Sequence, residues 1–574
     1  MELSLLSPHN DGLRPDPGVK SQDVLRLLKA NDPSIDHVRI TFCFSKSLTF
    51  SESDDAFFRD VGEAIASPDL TKLKSLQFNF SGSPSKDEKN DHFFMRFLET
   101  MSANRSIEAF EIKYANLNDI SECIPRMGLF FEKNEKLKSF DLNLARGASE
   151  SDIESLFSAL KSRSCPIEKI GLNRIGHRGI EQLLTLFNND PGVTPKRIFM
   201  SWNWVEEGRG CRDVSRLLSN QNIDLEEVNL TDEQIDSDGF QRIANALACR
   251  KQPLNSLVLR RNHSIGGNRG FGGSEGIIRF AQAFASNPDT IPNNLCISGN
   301  GIGPVGLQDL SNVLVRRSFP LESLELYANK IHTETANGFL SPFRQRPGLI
   351  PKILNLSYNP IDDLDVSSLL REENCSLSSI NLFPNEIRRD TVNAIARSVG
   401  TNKTVREILF DIREFPWEGW WALGNALCNQ TNIPATFTSN HTLTRFGCEK
   451  DYNNNFSPYS PFIRWHLAIN ALPDKKLVAR MKVVDTHFAR KFDLNPFREL
   501  APSLIAEILG FLSRAFAELE GHGKLPLVHD YGKYKRKQEG VSRNNNLTIC
   551  FLMVKCIPEM LHGVVNHRKG NNFS

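Results

Sequence analysis

Long apolar runs are missing from this chain of 574 residues. A membrane-spanning helix needs roughly 18 or more consecutive apolar residues, and no stretch comes near that. The opening residues also lack the basic region and apolar core of a secretory signal, so an intracellular chain is expected and no membrane partner. An excess of one charge is missing too: 69 Lys plus Arg stand against 68 Asp plus Glu, and the net charge of +1 gives no electrostatic case for nucleic acid. The 11 cysteines never form Cys-x-x-Cys and read as reduced packing thiols. No G-x-x-x-x-G-K-S/T occurs, which argues against a built-in nucleotide-driven module.

What the chain has is repetition. An apolar residue is followed by another three positions on, a third two after that, and often Asn after three more. The pattern is complete at Leu254, Leu257, Leu259, Asn262, at Leu321, Leu324, Leu326, Asn329, and at Leu377, Ile380, Leu382, Asn385. Units open at Ile35, Leu73, Ile107, Leu137, Ile167, Pro195, Leu225, Leu254, Pro292, Leu321, Pro351, Leu377, Val405 and Leu443, with steps of 26 to 38 residues. Such self-similarity marks leucine-rich repeats, whose function lies on surfaces.

Within a unit, Leu324 and Leu326 differ by two and face one side of a strand, while Ser323, Glu325 and Tyr327 face the other. The Asn that follows can satisfy backbone groups of the turn, so stacked units should form an Asn ladder. Helical sequence comes next, as at Phe240, Ile243, Ala244 and Leu247. Strands sit roughly 4.8 Å apart and helices about 10 Å apart, so the stack should bend. The expected fold is an α/β leucine-rich-repeat solenoid, a horseshoe with about fourteen parallel strands on its concave face, helices on its convex face and a small helical C-terminal region. Residues 1–34 read as an N-terminal segment with a short capping helix, 35–470 as the solenoid, and 471–574 as a helical cap containing a polar, basic loop at about 521–546. From residue 471 onward 17 Lys plus Arg face 10 Asp plus Glu, so the tail is basic. Helices are expected around Ile508 and Leu512 and around Phe551 and Val554.

The usual 28 to 30 residue step with a full helix resembles the ribonuclease-inhibitor type of leucine-rich repeat. Residues 417–443 carry E-G-W, L-C-N and S-N-H-T-L, and so resemble the closing repeats of a large group of ribonuclease-inhibitor-like proteins from diatoms. The F-D-L-N-P-F at 492–497 is similar to the tail of that group. The resemblance covers roughly residues 167–558. It implies the horseshoe with a helical end and assigns no biochemical role to any residue.

Several motifs point elsewhere and are outweighed. The G-x-S-x-G around Ser274 does not follow a strand directly, and Ser274 reads as a helix N-cap. The glycines at residues 266–276 are misspaced for a dinucleotide site. Cys550, Cys556, His562 and His567 have the wrong spacing for zinc. Residues 500–512 resemble the opening of an F-box helix, which the end-cap reading already absorbs. Lys533, Lys535, Arg536 and Lys537 form a short basic run that allows nuclear import. About a dozen Asn-x-Ser/Thr triplets, Asn229 and Asn355 among them, read as chance.

The expectation is a non-enzymatic, monomeric, cytoplasmic scaffold that needs no cofactor, metal or small-molecule substrate and binds a protein partner on its concave face. The alternative is an enzyme regulator, either a GTPase activator or a ubiquitin-ligase adaptor, using the same horseshoe. Outward strand positions lie side by side, so Arg260, Ser298, Tyr327, Ser357, Phe383 and Asp411 should form a row, with Arg261 and Tyr358 beyond it and Glu325, Asn355 and Asn381 beneath. Arg197, Phe199 and Trp202 make a second cluster. Exposed aromatics with Arg are the residue types that dominate interface energies.

Overall fold

The computed structural model describes residues 2–5, 21–32, 37–43, 52–67, 69–81, 97–115, 120–144, 150–161, 167–190, 193–203, 210–262, 274–411, 417–448 and 461–488. The chain divides into two compact units, Met1–Ile361 and Asp362–Ser574.

In the first unit the strands are β1 (Glu2–Leu5), β2 (His37–Cys43), β3 (Ser75–Ser81), β4 (Ala109–Ala115), β5 (Ser139–Leu144), β6 (Lys169–Asn173), β7 (Arg197–Ser201), β8 (Glu227–Thr231), β9 (Ser256–Val258), β10 (Asn294–Cys296), β11 (Ser323–Glu325) and β12 (Ile353–Asn355). Each pairs in parallel with the next. From β2 onward every strand begins two residues after a repeat opening, and register is held from unit to unit: Ser256, Asn294, Ser323 and Ile353 are successive partners. The fold is an α/β leucine-rich-repeat solenoid. One strand more than the repeats is present, since β1 pairs with β2 ahead of the first repeat. The expected short helix near the start is Ser21–Lys29.

Strand alternation sets the core. Leu257, Leu259, Leu324 and Leu326 are fully buried, and the helix Ser237–Ala248 adds Phe240, Ile243, Ala244 and Leu247 from its inner face. That helix starts where the Asp236 side chain accepts from the Gly239 N–H at 2.7 Å, a capping bond at an otherwise unsatisfied donor.

The Asn ladder is present. Asn262 Nδ2 donates to the Leu230 carbonyl (2.8 Å), Asn300 to Leu259 (2.9 Å), Asn329 to Ile297 (3.0 Å) and Asn359 to Leu326 (3.0 Å). Each Oδ1 accepts in turn from the preceding unit, as Asn300 Oδ1 does from Asn262 N (2.7 Å) and Asn359 Oδ1 from Asn329 N (2.9 Å). The residue just before the Asn takes a left-handed backbone: Trp202, Arg261, Gly299, Ala328 and Tyr358 have φ of 62°, 56°, 71°, 53° and 53°. That reversal points the Asn side chain back into the stack, and the carbonyls it caps are ones that water cannot reach.

Some of the Asn-x-Ser/Thr triplets shape the backbone. Asn229 Oδ1 accepts from both the N–H (3.0 Å) and the hydroxyl (2.6 Å) of Thr231, and Asn355 does the same with Ser357 (3.0 and 2.6 Å). Asn104 is buried, receives the N–H groups of Ser106 (2.9 Å) and Ile107 (3.0 Å), and donates to the Ile65 carbonyl. These are local turns that lead the chain into or along a strand, the work for which this residue pair is suited.

The second unit repeats the scheme with β13 (Ser379–Asn381), β14 (Glu407–Asp411) and β15 (Arg445–Cys448), again two residues after their openings. Asn402 and Asn440, both from Asn-x-Thr triplets, donate to the Leu370 and Val399 carbonyls at 2.9 and 2.8 Å. Helices Pro461–Ile469 and Lys475–Val483 follow β15. From the second of these, the fully buried Lys482 Nζ donates to the carbonyls of Leu427 (2.7 Å) and Asn440 (2.6 Å). The helices expected around Ile508 and Phe551, the Cys550, Cys556, His562 and His567 group, and the basic run Lys533, Lys535, Arg536 and Lys537 lie outside the described residues. Among the described residues no helix is long and apolar enough to cross a membrane.

Candidate functional site on the strand-lined face

The outward positions of β9 to β12 form the row that alternation dictates. The parallel bonding continues past the strand ends, with Arg261 N donating to Ser298 O (2.9 Å), Gly299 N to Tyr327 O (2.8 Å) and Ala328 N to Ser357 O (3.0 Å). Arg260, Ser298, Tyr327 and Ser357 are thereby held abreast. Large and small side chains alternate along this row. Ser298 is small and buried, and its hydroxyl accepts from Tyr327 N at 3.1 Å, so Arg260 passes over it and lies 5.3 Å from the Tyr327 ring centre. Ser357 is equally small, and Tyr358 in the following left-handed turn meets Tyr327 edge to face at 5.0 Å. Tyr358 remains 49% exposed, so its ring serves no core. A guanidinium on a ring face followed by an edge-to-face aromatic pair is a stack in which each contact is favourable.

The charges around the stack are unevenly answered. Glu325 accepts from Asn355 Nδ2 at 2.5 Å and from Ser323 Oγ at 3.3 Å. Arg261 lies 3.8 Å from the buried Asp232 carboxylate. Arg260 forms no ion pair among the described residues, and its Nε has no hydrogen-bond partner among them. Beneath it, burial pushes the Cys296 thiol up, so the sulfur stays protonated and adds no negative charge to answer Arg260.

The second cluster is built by different neighbours. Lys169 Nζ sits 4.5 Å from the Phe199 ring centre and the Arg174 guanidinium 5.2 Å from that of Trp202. Arg197 approaches Glu168 at 3.7 Å. Gly171, the register partner of Phe199, leaves room that the Asp141 carboxylate fills: a Cβ on Gly171 would stand 2.3 Å from Asp141 Oδ2. Burial first, then the neighbouring Glu111, holds the Asp141 carboxyl above the usual carboxylate range. Sequence reasoning missed Lys169 and Arg174. The available signal was their outward placement one repeat ahead of the rings they cover.

Asn381, Phe383 and Asp411 belong to the second unit, where each is half-buried on the outward side, and the Asn381 side chain accepts from Phe383 N at 3.0 Å. Ser274 opens the helix Ser274–Ala283, one position inside the expected cap. Its hydroxyl packs against Gly303, where an added Cβ would stand 1.9 Å from it, and so faces the next repeat. On the helix side of the first unit, a cavity of about 790 Å³ opens between Glu150–Lys161 and His177–Asn189, floored by Phe157 and Leu186. None of the residues expected at a partner site lines it. No group of three or more His, Cys, Asp or Glu among the described residues is placed to hold a metal ion.

No protein-family model and no curated protein matches the chain. Among solved structures, the tropomodulin C-terminal domain from Caenorhabditis elegans is similar over 29% of this chain and 96% of its own length, at 10% identity and a TM-score of 0.20.

Proposed function

We propose that the chain is a non-enzymatic, intracellular protein-interaction scaffold of ribonuclease-inhibitor-type leucine-rich repeats, acting as a monomer without a cofactor, and that a partner protein binds the strand-lined face of its first unit. The observation that carries this is the stack of Arg260, Tyr327 and Tyr358. Its outer ring is half exposed on a regular sheet face, and its cation is left without an ion pair among the described residues. Rigid aromatics beside Arg are where interface energy concentrates.

A partner using this face should bury about 1,200 to 2,000 Å² in total. With a partner isolated by affinity capture on the full chain, Tyr327→Ala should weaken binding by about 1 to 3 kcal/mol while leaving the melting transition in place. A partner that ignores Tyr327→Ala and Arg260→Glu but responds to substitutions of Glu181 or Thr185 at the helix-side cavity would overturn the reading.

A further inference from the structure

We infer that the strand-lined face of the first unit takes an acidic peptide segment, with one carboxylate forked onto Arg260 and an apolar side chain of the same segment against Tyr358. This rests on the scaffold reading above and specifies the partner's chemistry. The guanidinium already stands over the Tyr327 ring, 5.3 Å from its centre, so the side chain is held at that ring before anything binds and has less freedom to lose on contact. That planar fork matches a carboxylate in two parallel bonds.

The surrounding charge favours the same sign of ligand. The nearby acids are engaged within the fold, Asp232 by Arg261 and Glu325 by Asn355 and Ser323. Exposed Lys330 stands in the turn after Tyr327. The positive charge of Arg260 is therefore left for a ligand to neutralise. Nucleic acid fits less well, because a phosphate backbone asks for a succession of basic contacts; here a single fork is followed by two aromatic rings.

Spacing gives the inference a second handle. Arg260 reaches toward Tyr327, its guanidinium 5.3 Å from that ring centre, and the Tyr358 ring centre is a further 5.0 Å on, so the two groups that meet the ligand are at most about 10 Å apart. An extended peptide covers that in about three residues at roughly 3.4 Å each. The ligand should thus carry its carboxylate and its apolar side chain no more than about three residues apart.

The test uses the full chain and an array of peptides about twelve residues long, long enough to cross the four strands, with one Glu and one Leu on a Ser/Thr background at separations from one to seven, beside a twin array with Gln for Glu. Binding is expected to require Glu, to peak at a separation of about two to three, and to fall roughly tenfold in Arg260→Glu, with Arg260→Lys recovering only part because a point charge lacks the fork. Tyr358→Asn, a residue that tolerates the φ of 53°, should weaken binding and flatten the spacing preference. Equal binding of the Gln array, indifference to Arg260→Glu, or displacement of the Glu peptides by an equimolar oligouridylate would overturn the inference. If the Gln peptides bind equally and Tyr358→Asn still weakens them, the acidic specificity falls and the scaffold face stands. If neither array binds, or neither substitution matters to either array, both readings fall together.

Discussion

The early repeats around β2 to β4 and the middle repeats around β9 to β12 solve the same problem by different means. The slot that holds Asn262, Asn300, Asn329 and Asn359 in the middle is occupied by Cys43, Ser81 and Ala115 in the early repeats. Without an Asn to turn the chain and cap the neighbouring carbonyls, each early strand runs on to the slot itself and is 7 residues long, against 3 for each of β9 to β12. The backbone groups are satisfied either way, by sheet bonding in one region and by amides in the other. The cores differ as well. In the early repeats strand and helix rings meet, with Phe110 at 5.8 Å from Phe78, 5.3 Å from Phe130 and 6.1 Å from Phe131, while in the middle the strands bury Leu and Ile and the buried rings come from the helix side, as Phe280 with Phe284 and Phe339 with Phe343. Between these two regions the shorter strands go with Asn in the slot, although β7, followed by Asn203, keeps 5 residues.

The largest expected effect tests the early solution. Phe110→Ala should cost about 3 to 5 kcal/mol, because it removes the ring on which three others converge and leaves a cavity. Denaturant unfolding measures it, and a loss under about 1 kcal/mol would mean that the rings repack without their centre. Next comes the middle solution. Asn329→Ala strips the Asn300 N–H of its partner (2.6 Å) and takes one of two donors from the Ile297 carbonyl, which Asn300 Nδ2 still reaches at 2.8 Å. A loss of about 1 to 3 kcal/mol is expected from the orphaned buried N–H. Hydrogen exchange should rise first in the flanking repeats, since each repeat leans only on its neighbours. A uniform rise along the first unit would show that cooperativity reaches further than the ladder.

Much of this was legible in the residues. The openings predicted every strand from β2 to β15, because the apolar spacing that defines them is the spacing that buries them. The Asn ladder followed from the need to satisfy buried carbonyls. Strand length did not follow from the pattern, nor did the cation on each ring, because a side chain that crosses a neighbouring strand depends on which residue lies between. Lys482 was equally invisible, since a lysine in helical sequence reads as a surface group.

Lys482 closes a repeat in the second unit with an ammonium where other repeats use an amide. Burial first, opposed by the nearby Cys428 and aided by Lys475, brings it down from 10.5 to about 7. Because the unfolded chain still holds this proton between about pH 7 and 10.5 while the folded one sheds it, stability should rise with pH across that window and be flat below it. The slope should vanish in Lys482→Met, so the difference between the two pH profiles isolates this group from the surface lysines. Parallel profiles would mean that the amine keeps its proton and is held by the two carbonyls alone.

The smallest effect sharpens the comparison most, because the repeat of β8 puts a different side chain into the ladder. After β8 the slot holds Glu233, fully buried, with the left-handed Asp232 before it and a strand of 5 residues, intermediate in length. Its carboxylate accepts from the Asn203 N–H (3.1 Å) and from Asn203 Nδ2 (3.1 Å), the accepting half of the ladder's work. A carboxylate has no N–H with which to reach the Met200 carbonyl, as Asn262 reaches that of Leu230. Glu233→Asn should therefore complete the ladder, and we expect a gain of about 0.5 to 1.5 kcal/mol, read as a higher urea midpoint at unchanged slope. The opposing contribution is the stronger acceptor that a charged oxygen gives Asn203. A loss of the same size would show that this acceptor outweighs the added donor, and that the slot is selected for what it receives from the preceding repeat.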